Sequence, residues 1–200
     1  HKARSEGVRK LLSPKRAAVV GASRNPESVG GAVFRNMLKE GFSGVVFPVN
    51  PNADSIAGVL CYPSVMDIHG NIDLGVIVVP AGKVIEAVEQ CAKKGAHAAV
   101  IISDGFSEAG AQGVQLEREL IDVAASYGLR LVGPNCLGVM SNNPAVRLNA
   151  TFSPVCAPHG NLSIGSQSGA LGLALIDHAK SINLGIEDFV SIGNRADISN

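Results

Sequence analysis

The sequence predicts an α/β fold built on an open, doubly wound parallel sheet, and three observations carry that prediction. Short runs of Val, Ile and Ala alternate with stretches of helical length and period. The runs are continuously apolar rather than alternating, as strands covered by helices on both faces must be. Aromatic residues are only 4% of a chain that is 46% apolar and holds 23 glycines, so the core must be made of small and branched side chains that suit such layers. Two hundred residues allow one or two domains with a proper core.

Taken in order, residues 1–12 read as a lead-in with a short helical pattern, and Ser13-Pro14 opens the first domain, expected over 13–140. Residues 16–20 are the first strand. A helix follows over 29–40, with Val29, Val33 and Met37 expected inside, joined by Phe34 or Leu38. Gly41 and Gly44 end it. The second strand, 45–49, stops at the turn signal Asn50-Pro51-Asn52. Residues 56–63 read as a loop with a short extended segment, and 64–68 as one helical turn. The third strand, 74–79, is apolar throughout and turns at Pro80-Ala81-Gly82. The helix over 83–94 places Val84, Ile85, Val88 and Cys91 on one face. A fourth strand over 98–102, a helix over 112–127 and a fifth strand over 129–132 complete the alternation.

After Gly133 the texture changes. Asn142-Asn143-Pro144 and the run 145–160 read as a loop-like connection to a second domain, expected over 145–200. There a strand over 161–164 runs into Gly165-Ser166-Gln167-Ser168-Gly169 and a helix over 170–181, with Leu171, Leu175, Ile176 and Ala179 inside. A last strand, 189–192, leads into Gly193-Asn194-Arg195-Ala196-Asp197.

Right-handed crossovers place every carboxyl end of a parallel sheet on one edge, where ligands of such folds bind. That edge collects Gly21–Arg24, Asn50–Asn52, Val79–Ala81, Ser103–Phe106 and Gly133–Cys136. In RAAVVGASRNPESVGG a strand breaks at Gly21 and delivers the chain into a helix, offering free N–H groups and a positive dipole end to phosphate. Ser23, Arg24 and Asn25 add hydrogen-bonding groups and the turn's one cation. The G-x-G-x-x-G spacing is absent, and Asn50 stands where a dinucleotide site usually carries an acid for the ribose. Both argue against NAD. Ser166 to Gly169 repeats the device at a second corner.

Lys and Arg balance Asp and Glu at 17 each, so no field of one sign exists to gather nucleic acid or an anionic membrane. The longest apolar runs fall far short of a membrane span. Cys61, Cys91, Cys136 and Cys156 form neither C-x-x-C nor a zinc-like cluster, so reduced thiols, no metal site and a cytoplasmic location are expected. Nothing adjacent to Cys136 would lower its pKa, which makes it a packed residue rather than a nucleophile. The chain opens on His and stops at Asn200 without a terminus signal, and so reads as a piece of a longer polypeptide.

Seven motifs, in order, carry a resemblance: VVGASRNPESVG, FPVNPNADSIAGVLCYPSV, DLGVIVVPA, ISDGFSEAG, GPNCLGV, LNATFSP and SIGSQSGALG. Together they resemble the acyl-CoA synthetases (NDP-forming), and more narrowly the ADP-forming acetyl-CoA synthetases, relatives of the succinyl-CoA synthetase α subunit. The resemblance runs from Ser13 to Asn200. It implies a Rossmann-like CoA-binding domain followed by the start of a flavodoxin-like domain. Carried over by motif, Gly21, Ala22, Ser23, Arg24 and Asn25 would cradle CoA phosphates. Val49, Asn50 and Pro51 would lie beside its nucleotide part, and Val79, Pro80, Ala81, Ile102 and Ser103 would line the path to the thiol. Ser166, Gln167, Ser168 and Gly169 match a phosphate site at a helix N-terminus, with Gly133, Pro134, Asn135 and Cys136 near the same centre.

In that family acyl-CoA, ADP and phosphate interconvert with a small carboxylate, CoA and ATP through an acyl phosphate and a phosphohistidine. That histidine and its glutamate lie beyond residue 200; His69, His97, His159 and His178 do not match the motif. ATP and Mg belong to an ATP-grasp domain or subunit, and the resemblance implies an oligomer. Two other readings stay open at this point. One is a regulatory CoA-binding part of a protein acetyltransferase fusion; the other is a nucleotide- or CoA-binding module without chemistry.

Overall fold

The structure, a computed structural model, describes Gly7 and residues 9–198. The rest of the lead-in and the last two residues lie outside the described residues. Five parallel strands form the first sheet: β1 (Arg16–Val20), β2 (Val45–Val49), β5 (Leu74–Ile77), β6 (Ala98–Ile101) and β7 (Arg130–Val132), in the order β2-β1-β5-β6-β7. A two-stranded hairpin, β3 (Ser55–Ile56) and β4 (Val59–Leu60), follows β2. Past it, Tyr62 forms a single parallel bridge to Val49. Counting that bridge as a reduced third strand, the order becomes 3-2-1-4-5-6, that of the Rossmann fold. The Rossmann-like expectation is met, with the third strand cut to one residue. Cys61 and Pro63 flank Tyr62, and proline cannot extend a ladder.

Every residue of β5 and β6 is buried, because helices cover both faces. On one face lies α1 (Val29–Lys39); on the other lie α2 (Val84–Lys93) and α3 (Ala111–Tyr127). In α1 the inward stripe is Gly30, Val33, Phe34 and Met37, spaced i, i+3, i+4, i+7. Val29 and Leu38, two of the residues expected inside, are 40% and 38% exposed. Gly30 explains the shift of phase: a Cβ there would sit 2.0 Å from the Gly21 carbonyl oxygen, so α1 crosses β1's exit at backbone contact.

The second sheet is mixed, in the order β10-β11-β8-β9, from β8 (Gly138–Ser141), β9 (Leu148–Thr151), β10 (His159–Ser166) and β11 (Ile186–Ser191). β10 and β11 run parallel; the other pairs are antiparallel. The loop-like connection expected over 145–160 is therefore corrected: 148–151 is a strand, and 159–160 already belong to β10. β8 and β9 are four residues each and wholly buried, so they lack the alternation that marks a half-exposed strand. Val139 packs with the core beneath α1 while Met140 packs on the second sheet's other face. Asn36 of α1 ties the layers together, its amide donating to the carbonyls of Thr151 and Ser153 at 2.8 Å each.

Helix α4 (Gly169–Ser181) covers that second face through Gly172, Ile176 and Ala179. Leu171 and Leu175, expected inside, point outward at 56% and 38% exposure. Glycine again sets the phase, since a Cβ on Gly172 would lie 2.6 Å from the Phe189 ring.

Candidate functional site

The first corner is fastened from all sides. Gly21 adopts φ +93°, donates its N–H to the Val49 carbonyl at 2.9 Å, and approaches β5's exit so closely that a Cβ would stand 2.1 Å from the Val78 oxygen. Asn50, expected beside a ligand, spends its side chain on the fold. Its Nδ2 donates to the Ala22 carbonyl at 2.8 Å, and its Oδ1 accepts from the Asn52 N–H at 2.8 Å. Ser23 and Asn25 likewise accept backbone N–H groups from Asn25 and Glu27, and Ser28 caps α1. Among the described residues, Ala22, Ser23 and Arg24 donate their N–H groups to no protein partner. Arg24 is exposed, with Nε 3.4 Å from the Ser55 carbonyl.

A second guanidinium supports the corner, and sequence reasoning missed it. Arg35, on α1, donates to the carbonyls of Ser23, Arg24 and Gly31 at 3.2, 2.8 and 3.3 Å. No local signal marks it, since the carbonyls it takes in the turn belong to residues eleven and twelve positions upstream.

The β5, β6 and β7 exits are stitched by Ser103. Its hydroxyl donates to the Val79 carbonyl at 2.6 Å and accepts the Val79 N–H at 3.1 Å, while its own carbonyl accepts the Asn135 N–H at 2.9 Å. Gly133-Pro134 is a cis peptide and Asn135 has φ +55°. The carbonyls of Pro134 and Gly133 accept N–H groups from Asn194 and Ala196, which seats the β11 exit against β7. Asn194 also reaches Glu108 and Glu117 with its amide at 2.5 and 2.9 Å. Burial pushes the Glu108 carboxyl up, but that amide and the N–H groups of Phe106 and Gly105 outweigh it and hold the pKa below its ordinary value.

At the second corner Ser166 is buried, its hydroxyl donating to the Ser168 carbonyl at 2.8 Å. Ser168 is the N-cap of α4, accepting the Leu171 N–H at 3.2 Å. Both hydroxyls thus shape the corner, and the α4 N-terminus, with Gln167 beside it, faces a wide cleft.

Two clefts join these parts. A cleft of about 800 Å³ lies between the carboxyl edge of the first sheet and the second corner, lined by Val79, Pro80, Ile102, Ser103, Asn135 and Cys136 on one side and Gln167, Ser168 and Gly169 on the other. Asp104, Val29 and Phe152 complete it; Val29 and Phe152 had been given no place there by sequence. A second cleft of about 450 Å³ is lined by Gly21, Val49, Asn50, Pro51 and Lys83. The two share Val78, Val79 and Pro80, so they meet at the β5 exit. Ala22 to Asn25, Ala81, Ser166, Gly133 and Pro134 line neither cleft.

The lining offers little for covalent chemistry. Cys136 is buried, its Sγ donating to the Ile101 carbonyl at 3.3 Å, and burial pushes its thiol up to about 12. Among the described residues no histidine lines either cleft; His159 pairs with Glu187 at 2.9 Å on the far side of β10 from the corner. No helix among the described residues is long and apolar enough to cross a membrane. What the arrangement can do is hold an extended, phosphate-bearing molecule along the sheet edge, with its far end at the second corner.

Comparison with known proteins agrees with that geometry. The family described as CoA binding domain matches residues 15–142, and a succinyl-CoA ligase like flavodoxin domain matches residues 159–200. The chain is 47% identical to the ADP-forming acetate–CoA ligase I of Archaeoglobus fulgidus over 94% of its own length and 27% of that protein's. It is 44% identical to the α subunit of the ADP-forming acetate–CoA ligase II of Pyrococcus furiosus over 94% of its length and 40% of that subunit. Among solved structures, the acetyl-coenzyme A synthetase 1 of Ca. Korarchaeum cryptofilum, in complex with phosphate and ADP, superposes with a TM-score of 0.92 at 45% identity, covering 98% of this chain and 41% of that one. The chain thus spans well under two thirds of the length of these three relatives. With the family model matching residues 15–142, more than half of its length, the chain belongs to the CoA binding domain family, in the form that ADP-forming acyl-CoA ligases carry.

Proposed function

We propose that this chain is the CoA-binding part of an ADP-forming acyl-CoA synthetase, which interconverts acyl-CoA, ADP and phosphate with a small carboxylate, CoA and ATP. The single observation that carries the reading is the pair of clefts meeting at Val79–Pro80, one lined by Gly21 and the other by Gln167, Ser168 and Gly169 at the α4 N-terminus. The diphosphate of CoA would sit at Gly21–Asn25, held by backbone N–H groups and Arg24. The nucleotide part would lie by Val49, Asn50 and Pro51. The pantetheine arm would pass Val79, Pro80 and Ile102 so that the thiol reaches the wider cleft. There the α4 N-terminus at Ser166–Gly169 would hold a phosphoryl group in transit, its dipole stabilising a dianion without a cation.

On this reading the protein works with an ATP-grasp domain or subunit that brings ATP and Mg, in a cytoplasmic oligomer. The phosphohistidine is supplied by polypeptide beyond Asn200. The names of the three relatives, two ADP-forming acetate–CoA ligases and an acetyl-coenzyme A synthetase, favour this over an acetyltransferase-linked regulator or a module without chemistry.

Calorimetric titration of the 200-residue chain with CoA, acetyl-CoA, NAD and NADP tests it. CoA and acetyl-CoA bind and the dinucleotides do not. Arg24→Ala weakens CoA by about 1 kcal/mol, the low end for a charge-assisted bond because Arg24 is exposed. Binding of NAD without CoA would overturn the reading. So would robust ATP formation from acetyl-CoA by this chain alone.

A further inference from the structure

The clefts are nearly uncharged. Lys83 is the one Lys or Arg among the residues that line them, set against the acids Glu86 and Asp104. It lines the nucleotide-side cleft together with Asn50, Pro51 and Asn52, whereas Arg24 and Arg35 line neither cleft. We propose that Lys83 is a specificity residue that reads the 3′-phosphate of CoA, an inference that rests on the CoA reading above.

Three features support it. The Lys83 side chain is 71% exposed and its one ion pair, to Glu86 at 3.6 Å, is an exposed i,i+3 contact of small worth, so the ammonium can turn to a dianion. Two N–H groups at the start of α2 are committed to the short 3₁₀ turn Ala81–Lys83: Lys83 donates its own to Pro80 and Val84 donates to Ala81. At these two positions a phosphate would be met by the Lys83 side chain rather than by the backbone. CoA, finally, carries two separate phosphate groups. The backbone corner at Gly21 suits the diphosphate, and the remaining dianion needs a partner on the nucleotide side, where Lys83 is the one Lys or Arg that lines the cleft.

The test compares CoA with 3′-dephospho-CoA on the 200-residue chain and on Lys83→Met and Lys83→Arg. Lys83 makes no side-chain cap for α2, so these variants leave the fold alone; equal melting temperatures check this. Wild type prefers CoA over dephospho-CoA by about tenfold. Lys83→Met binds CoA about tenfold more weakly, leaves dephospho-CoA unchanged and so abolishes the preference, while Lys83→Arg keeps most of it. Equal weakening of both ligands by Lys83→Met, or of neither, overturns the assignment while the CoA reading stands. A wild type that binds neither ligand ends both.

Discussion

The hydroxyl of Ser103 separates a structural clamp from a ligand contact, and removing it makes the difference measurable. The residue is 9% exposed and its oxygen serves Val79 twice, donating at 2.6 Å and accepting at 3.1 Å. Ser103→Ala deletes both bonds and orphans a part-buried N–H and carbonyl. With about 1 kcal/mol net for each bond and a further penalty for the unpaired donor, the cost is about 2–3 kcal/mol. At a urea slope of about 2–3 kcal/mol per molar for a chain of this size, the unfolding midpoint falls by about 1 M. Urea titration followed by far-UV circular dichroism reads this directly, and a CoA titration on the same samples reads affinity. Affinity drops only several-fold, because Val79 and Pro80 loosen where the two clefts meet. An Ala variant within about 0.5 kcal/mol of wild type that had lost CoA binding tenfold would refute the reasoning: the hydroxyl would then belong to the ligand.

Two further outcomes follow from charge and burial elsewhere. Asp73 accepts the Lys10 ammonium on Oδ1 at 2.7 Å and the N–H groups of Lys15 and Arg16 on Oδ2 at 2.7 and 3.1 Å. Burial raises its pKa, but these donors outweigh burial and leave it below 3.8, so the stabilisation is full above that value and is lost as pH falls through the lower folded one. Thermal melts between pH 5 and 3 should lose less midpoint in Asp73→Asn than in wild type; parallel slopes would contradict this. Among the thiols, burial pushes Cys91 and Cys136 up to about 12, and burial with the Glu40 charge pushes Cys156 up to about 11. Alkylation of native protein at pH 8, read by mass spectrometry, should therefore reach part-exposed Cys156 well before Cys91 or Cys136, and rapid modification of Cys136 would contradict its packing.

Much of the first layer was legible because its signals are local. The runs at β1, β2, β5, β6 and β7 are bounded by Gly and Pro and separated by helices of the right period, so their places could be read within a residue or two. The four-residue segments β8 and β9 were not legible: buried on both faces, they carry neither alternation nor length, and the neighbouring Asn and Pro mimic a loop. The inward faces of α1 and α4 were misread for a related reason. Large apolar residues were counted, but Gly30 and Gly172 hold the close contacts, and a glycine contributes nothing to an apolar pattern.

By itself, the sequence determined that strands break at glycine corners whose N–H groups suit phosphate, since backbone conformation at Gly21 and Ser166–Gly169 follows from local chemistry. Only the tertiary structure decided which side chains remain for a ligand. The hydroxyls of Ser103, Ser166 and Ser168 and the amide of Asn50 look available in one dimension, yet each is consumed by a backbone group from another segment or its own corner. Lys83 and Arg35, unremarkable along the chain, acquire their positions only when β5 lies beside β1 and α1 folds back over the Gly21 turn. The reason is physical: buried polar groups must find partners, and long-range packing chooses those partners first, leaving to the ligand whatever it does not use.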